Sequence, residues 1–204
     1  MAAELPAERQ PVIIAARRTP VCPVNGALRS LRAHELLAPV LRALVAETGV
    51  DPGTVADVVI GNAVGGGGNV ARLALLAAGL PVTVPGITVD RQCGSGLDAI
   101  ALASRLVAAG RSPVYLAGGV ESTSTAPLRA HRTDDGGTEF YRRAQFVPPD
   151  FGDPDMGVAA ENVAREYGVG RDCQDAFALG SHRKALDAIR EGRFAAELVP
   201  LETP

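Results

Sequence analysis

An α/β fold, one mostly parallel sheet lying between helices, is predicted by three features of the sequence. Short apolar runs of strand length alternate with longer segments whose apolar residues recur at helical spacing. Glycine-rich loops follow two of the strand-like runs, where such sheets gather their functional groups. The composition is that of a globular protein, 47% hydrophobic and 21% charged, and 204 residues suffice for one well-filled domain with an extra lobe.

In chain order, Pro11 to Ala16 (PVIIAA) reads as a short buried strand closed by Arg17-Arg18-Thr19-Pro20. From His34 to Thr48, Leu36, Leu37, Val40, Leu41, Leu44 and Val45 fall on one helical face, and Gly49 stops the helix. Val55 to Ile60 (VADVVI) is the second strand and runs into the loop GNAVGGGGN. A helix over 69–78 follows, its first turn capped by the Asn69 side chain. Pro85 to Gln92 makes the third strand, Cys93 to Ala109 the third helix, and Val114 to Ala117 a fourth strand ending in Gly118-Gly119-Val120-Glu121-Ser122. Such alternation is the pattern of βαβ units. Texture changes near Pro127: 127–155 is rich in Pro, Gly, Asp and Arg without period, a long loop or small excursion. Helical patterning returns over 158–167 and 173–191. The expected division is therefore 1–126 and 127–204.

Several classes are disfavoured. With a net charge of −3 and no basic run, the chain does not read as a nucleic-acid binder. The start, MAAELPAERQP, lacks a basic-then-apolar signal. No apolar run approaches the ~18 residues a membrane span needs. Cys22, Cys93 and Cys173 are odd in number and widely spaced, which suits neither a disulfide framework nor a metal site. A cytoplasmic protein is expected. Gly65 to Gly68 lacks the following Lys-Ser/Thr of a phosphate loop and reads as a flexible loop.

The junction VDRQCGSGLDAIALASRL, Val89 to Leu106, carries the chemistry. The thiolate is the nucleophile of a cysteine, and a free thiol, with a pKa of about 8.5, is mostly protonated at neutral pH. A helix start offers unpaired amides and roughly half a positive charge, which favour an anion and can hold the oxyanion formed when a thiolate attacks a carbonyl. Gly94 and Gly96 are expected to keep the turn open to substrate. Strand, sharp turn, nucleophile and helix follow the logic of a nucleophile elbow with cysteine in the serine role. Position and glycines alone leave two readings open for Cys93, a reactive thiol or a small, inert core residue. Cys22 and Cys173 have no such setting and read as structural.

Six segments in order resemble the thiolase family, the acetyl-CoA acetyltransferases and 3-ketoacyl-CoA thiolases. RRTPVCPVNGALRS is similar to the family's first strand and loop, VADVVIGNAV to its second strand, and NVARLALLAAGLP to the helix after it. VDRQCGSGLDAIA resembles the nucleophile segment, LAGGVESTSTAP the strand and loop beyond, and MGVAAENVAREYGVGRDCQDAFALGSHRKALDAIREGRFAAELVP the loop domain. The resemblance implies half of the layered thiolase fold, an αβα half with an inserted helical loop lobe. It also implies a covalent mechanism in which Cys93 takes an acyl group from a thioester. The acyl group then passes to CoA, or to a carbanion of a second thioester in Claisen condensation. The Cys93 amide would contribute to the oxyanion hole. Met156 and Gly157 resemble residues that line the pantetheine channel, and Arg183 is a candidate for the CoA phosphate. No cofactor or metal is implied; the CoA or carrier-protein thioester is the substrate.

The chain also departs from the family. A complete thiolase is about twice this length, and its C-terminal half brings a Gly-His-Pro histidine, an asparagine and a second cysteine. None of those motifs occurs in these 204 residues. His34, His131 and His182 read as surface or capping residues rather than substitutes for that histidine. The expected arrangement is a two-chain enzyme, with a partner polypeptide supplying the C-terminal half and both chains duplicated in a hetero-oligomer. A truncated thiolase and a non-catalytic scaffold or acyl-binding protein are the alternatives. Asp90, Asp98, Thr123 and Asp155 stand where the family commonly has other residues, which leaves the acyl chain open.

Overall fold

The computed structural model describes residues 6–203. They fall into two compact units, one running to Pro127 and taking in the segment from Glu197, the other Leu128–Ala196. The sequence reading assigned the whole of 127–204 to the second unit. The end of the chain differs because the Arg18 amide donates to the Glu197 carbonyl at 2.9 Å and the Val199 amide to the Arg18 carbonyl at 2.8 Å.

The first unit is built on three parallel strands. Helix α1, Ala33–Thr48, buries Leu36, Leu37, Val40 and Leu41 and ends at Gly49, whose φ of 64° needs a residue without a Cβ. Strand β1, Asp57–Gly61, is central. Helix α2, Val70–Ala77, starts where the Asn69 side chain accepts from the Arg72 amide at 3.0 Å, as its sequence predicts. Strand β2 is Gly86–Val89, helix α3 Ser95–Ala108 and strand β3 Tyr115–Gly119. The order is β2-β1-β3, with Val58 opposite Gly86 on one side and Leu116 on the other.

Because side chains alternate along a strand, Val58 and Ile60 join Leu37, Leu41, Ala71 and Leu75 in one buried cluster. Val59, also fully buried, points to the other face. The chain moves from β1 to β2 on one side and returns to β3 on the other. Right-handed crossovers then place α2 and α3 on opposite faces.

Two expectations are corrected. Pro11 to Ala16 belongs to no strand and is not buried: Val12, Ile13 and Ile14 are 77%, 77% and 70% exposed. Apolar β-branched residues met the strand criterion, but no described strand lies alongside to complete a ladder. The other correction concerns 127–155, which contains a β-hairpin. Strand β4, Arg129–Arg132, pairs antiparallel with β5, Thr138–Tyr141, around a turn with Gly136 at φ 82°. The His131 ring stacks on Tyr141 at 4.5 Å. The second unit is completed by α4, Met156–Glu166, and α5, Arg171–Arg190. No described helix is long and apolar enough to cross a membrane.

Candidate active site

Cys93 sits just beyond the carboxyl end of β2, exposed, in a turn that precedes α3 by two residues. The sequence had the helix begin at Cys93 itself. It begins at Ser95 because Gln92 takes a left-handed φ of 50°, and the chain closes a tight turn there before helical geometry starts. In that turn the Gly94 amide donates to the Arg91 carbonyl at 3.1 Å and the Ser95 amide to the Gln92 carbonyl at 3.0 Å. Both amides are spent within the turn and are not free to hold an oxyanion. The exposure of Cys93 is incompatible with its reading as a small core residue.

The glycines differ in what they do. A Cβ on Gly61 would lie 2.3 Å from the Ser95 carbonyl carbon, and one on Gly119 would lie 3.0 Å from the Gly96 Cα. The carboxyl ends of β1 and β3 therefore press directly on the backbone that opens α3. Gly96 serves this close packing, where the sequence reading had it open the turn to substrate. Arg91 and Asp98 pair across the turn at 3.2 Å, and with Arg91 72% exposed this pair contributes little to stability.

A second group of residues ties the strand ends together. The Asn62 amide donates to the Val89 carbonyl at 3.0 Å, and its buried side chain donates to the Val120 carbonyl at 2.8 Å and to Glu121 at 3.0 Å. The Glu121 carboxylate also accepts from the Ala63 and Val64 amides. All three strand ends are thus linked through one Asn–Glu pair. Sequence reasoning missed this pair, since an Asn after one strand and a Glu after another carry no spacing signal until the strands are neighbours. A cleft of about 200 Å³ in the same unit is lined in part by Cys22, Leu36, Glu121 and Ser124, and Cys93 does not line it.

The other predicted residues lie in the second unit. Met156 and Gly157 are the first two residues of α4, and Met156 is 73% exposed. Arg183 is exposed on α5. Cys173 is also exposed on α5 rather than structural in the buried sense. Arg143 grips Asp153 through two nitrogens at 2.7 and 2.6 Å and stacks on the Phe146 ring at 4.7 Å. This hydrogen-bonded pairing, opposed by desolvation, holds the Asp153 carboxyl below the usual carboxylate range. No group of three His, Cys, Asp or Glu residues suited to a metal ion occurs among the described residues.

Comparison with known proteins bears on the family and the fold. A family model described as thiolase, N-terminal domain, matches residues 11–204. VraB of Staphylococcus aureus (strain MRSA252), provisionally named an acetyl-CoA C-acetyltransferase, is 44% identical over 196 residues, covering 94% of this chain and 52% of its own. YhfS of Bacillus subtilis (strain 168), provisionally named for the same activity, is 45% identical over 192 residues, covering 93% and 48%. The crystal structure of the Bacillus anthracis acetyl-CoA acetyltransferase superposes with a TM-score of 0.84 at 37% identity, over 95% of this chain and 51% of that one. The chain spans about half the length of the curated relatives it matches.

Proposed function

The chain belongs to the thiolase family, and from that premise we propose that it is the nucleophile-bearing half of a two-chain thiolase-type acyltransferase. Cys93 Sγ attacks the carbonyl carbon of an acyl thioester. The bond from that carbon to the CoA sulfur breaks, CoA leaves as its thiol with the proton that Cys93 gave up, and an acyl-Cys93 intermediate remains. In thiolysis Cys93 Sγ instead attacks the 3-keto carbon of a 3-ketoacyl thioester, and the bond from that carbon to C2 breaks. C2 takes a proton and leaves as the shorter thioester, and a CoA thiol then takes the acyl group from Cys93. In condensation the carbanion of a second thioester takes it and a carbon–carbon bond forms. Developing negative charge on the carbonyl oxygen falls to the Cys93 amide.

The proton carriers of the reaction, a Gly-His-Pro histidine and a second cysteine, are absent from these 204 residues. We assign them to a partner polypeptide carrying the C-terminal half, in an assembly with both chains duplicated. Met156 and Gly157 would line the pantetheine channel and Arg183 would meet the CoA phosphate, with CoA or a carrier protein bearing the thioester.

The single observation that carries this reading is an exposed thiol at the carboxyl edge of a parallel sheet, two residues before a helix, within a thiolase N-terminal match. The test is native mass spectrometry of the chain drawn gently from its own cells, followed by acyl-CoA and peptide mapping. A complex with a second chain bearing Gly-His-Pro, and an acyl adduct on Cys93 that Cys93→Ala removes without loss of assembly, is the expected result. An assembly of this chain alone would sink it in favour of a truncated thiolase or a non-catalytic scaffold. A complex without acyl transfer to Cys93 would sink it in favour of the scaffold.

A further inference from the structure

The hydroxyl of Ser95 is buried, at 3% residue exposure, and it is not assigned a chemical step. It accepts from the Arg91 amide at 2.7 Å and donates to the Gln92 carbonyl at 2.6 Å. The Ser95 amide reaches that same carbonyl at 3.0 Å. On the other side, the Gln92 amide donates to Asp90 Oδ1 at 2.8 Å. Three of these four hydrogen bonds fall on the peptide units that flank one residue, and the fourth holds the amide of Arg91 just before it. That residue, Gln92, has a φ of 50°, a conformation that an L-residue with a Cβ adopts uphill. Strain of this kind persists only where the surroundings over-determine it.

The anchor for these bonds is rigid. Ser95 is the first residue of α3, and its backbone lies so close to Gly61 of β1 that a Cβ there would overlap it. The hydroxyl therefore couples a fixed point on the sheet to a strained, exposed turn. Cys93 and Gly94 are the residues between them.

We propose that Ser95 is a positioning residue: by holding Gln92 in the left-handed conformation it sets where the Cys93 sulfur stands relative to the start of α3. This rests on the reading of Cys93 as the nucleophile. Ser95 touches no reacting atom. A Ser95→Ala chain keeps the helix and the amide bond but loses both hydroxyl bonds, so Gln92 can relax to negative φ and swing the thiol. The favourable field of a helix start fades within about one turn, so a displaced thiol reacts more slowly.

The experiment is alkylation of the full chain by iodoacetamide at one pH, with the rate at Cys93 read by peptide mapping against exposed Cys173 in the same sample. Ser95→Ala should lower the Cys93-to-Cys173 rate ratio by about threefold, the scale on which a helix start acts on a charge. Adding Gln92→Gly should restore it, because glycine takes positive φ without steric cost. Gln92→Val, at an exposed site with Ser95 intact, should reproduce the deficit and serves if Ser95→Ala does not fold. A wild-type ratio in Ser95→Ala, a deficit that survives Gln92→Gly, or a Gln92→Val chain without deficit would each overturn the proposal. A purely structural Ser95 would lower the melting temperature and leave the ratio unchanged. Absence of an acyl adduct would defeat the function proposed above without altering this ratio.

Discussion

Leu75 and Ile189 are both aliphatic residues on helices, and their surroundings are opposite. Leu75 of α2 is fully buried; Ile189 of α5 is 62% exposed. The contrast extends to the units that hold them. The first unit buries Val58, Val59, Ala71 and Leu75 completely, while Ala188 is the buried residue of the second among those described. Phe177, Val163 and Tyr167 stay largely in solvent. What orders the second unit is local: the Arg143–Asp153 pair and a stacked hairpin, with exposed ion pairs within helices such as Arg171–Asp175 adding little. One unit is shaped by what it hides and the other by short-range bonds. Helices with bare apolar faces draw most of their stability from whatever covers them.

The largest expected effect tests this directly. Leu75→Ala should cost about 3 kcal/mol in urea unfolding of the full chain, because both transfer energy and a cavity are lost. Ile189→Ala should cost under about 0.5 kcal/mol, as for an exposed site. A cost at Ile189 rivalling that at Leu75 would break the comparison and mean that α5 is covered in solution.

A smaller effect is expected at Arg143. Asp153 is held below its ordinary range, so its pairing stabilises the second unit above the unfolded carboxylate range. That contribution is lost as pH falls through the lowered folded value. Arg143→Gln should therefore make Leu128–Ala196 more open to limited proteolysis near neutrality. In strong acid, where Asp153 is protonated in both proteins, variant and wild type should be cut alike. Equal cutting at every pH would show that the pair holds nothing together.

How much was legible follows the same division. Helices α1, α2 and α3 were readable because one-sided burial imposes a period that the sequence must carry, and strands β1, β2 and β3 because short apolar runs stand between turn residues. Cys93 was readable because its neighbours Arg91-Gln92 and Gly94-Ser95-Gly96 are contiguous with it. The hairpin β4–β5 was not, since its strands lie in solvent and carry Arg, His and Glu rather than an alternating apolar face. The apolar run Val12-Ile13-Ile14 misled in the opposite sense, as composition marks a strand but cannot supply its neighbour. The Asn62–Glu121 pair and the Gly61–Ser95 contact join residues remote in sequence, and only the sheet order brings them together. Gln92 was invisible as a strained position because nothing about glutamine announces positive φ.

Asp57 offers the smallest effect and the sharpest contrast with Arg143. It opens β1, and its Oδ1 is buried without a hydrogen-bond partner among the described residues. Burial pushes its carboxyl above the ordinary 3.8, partly offset by the Val58 amide. A folded value above the unfolded one means that the ionised form is disfavoured by folding. The penalty is complete above the raised value and disappears as pH falls below about 3.8. Asp57→Asn removes the charge and keeps the shape, so it should raise the melting temperature near neutrality by a small amount, of order 1 °C. The two melting curves should converge in acid. The acid responses at Asp57 and at Asp153 therefore run in opposite directions, one relieving a buried charge and the other releasing a paired one. If Asp57→Asn gains nothing at pH 7, water reaches Oδ1 in solution, and the amino end of β1 is less closed than the centre of that strand.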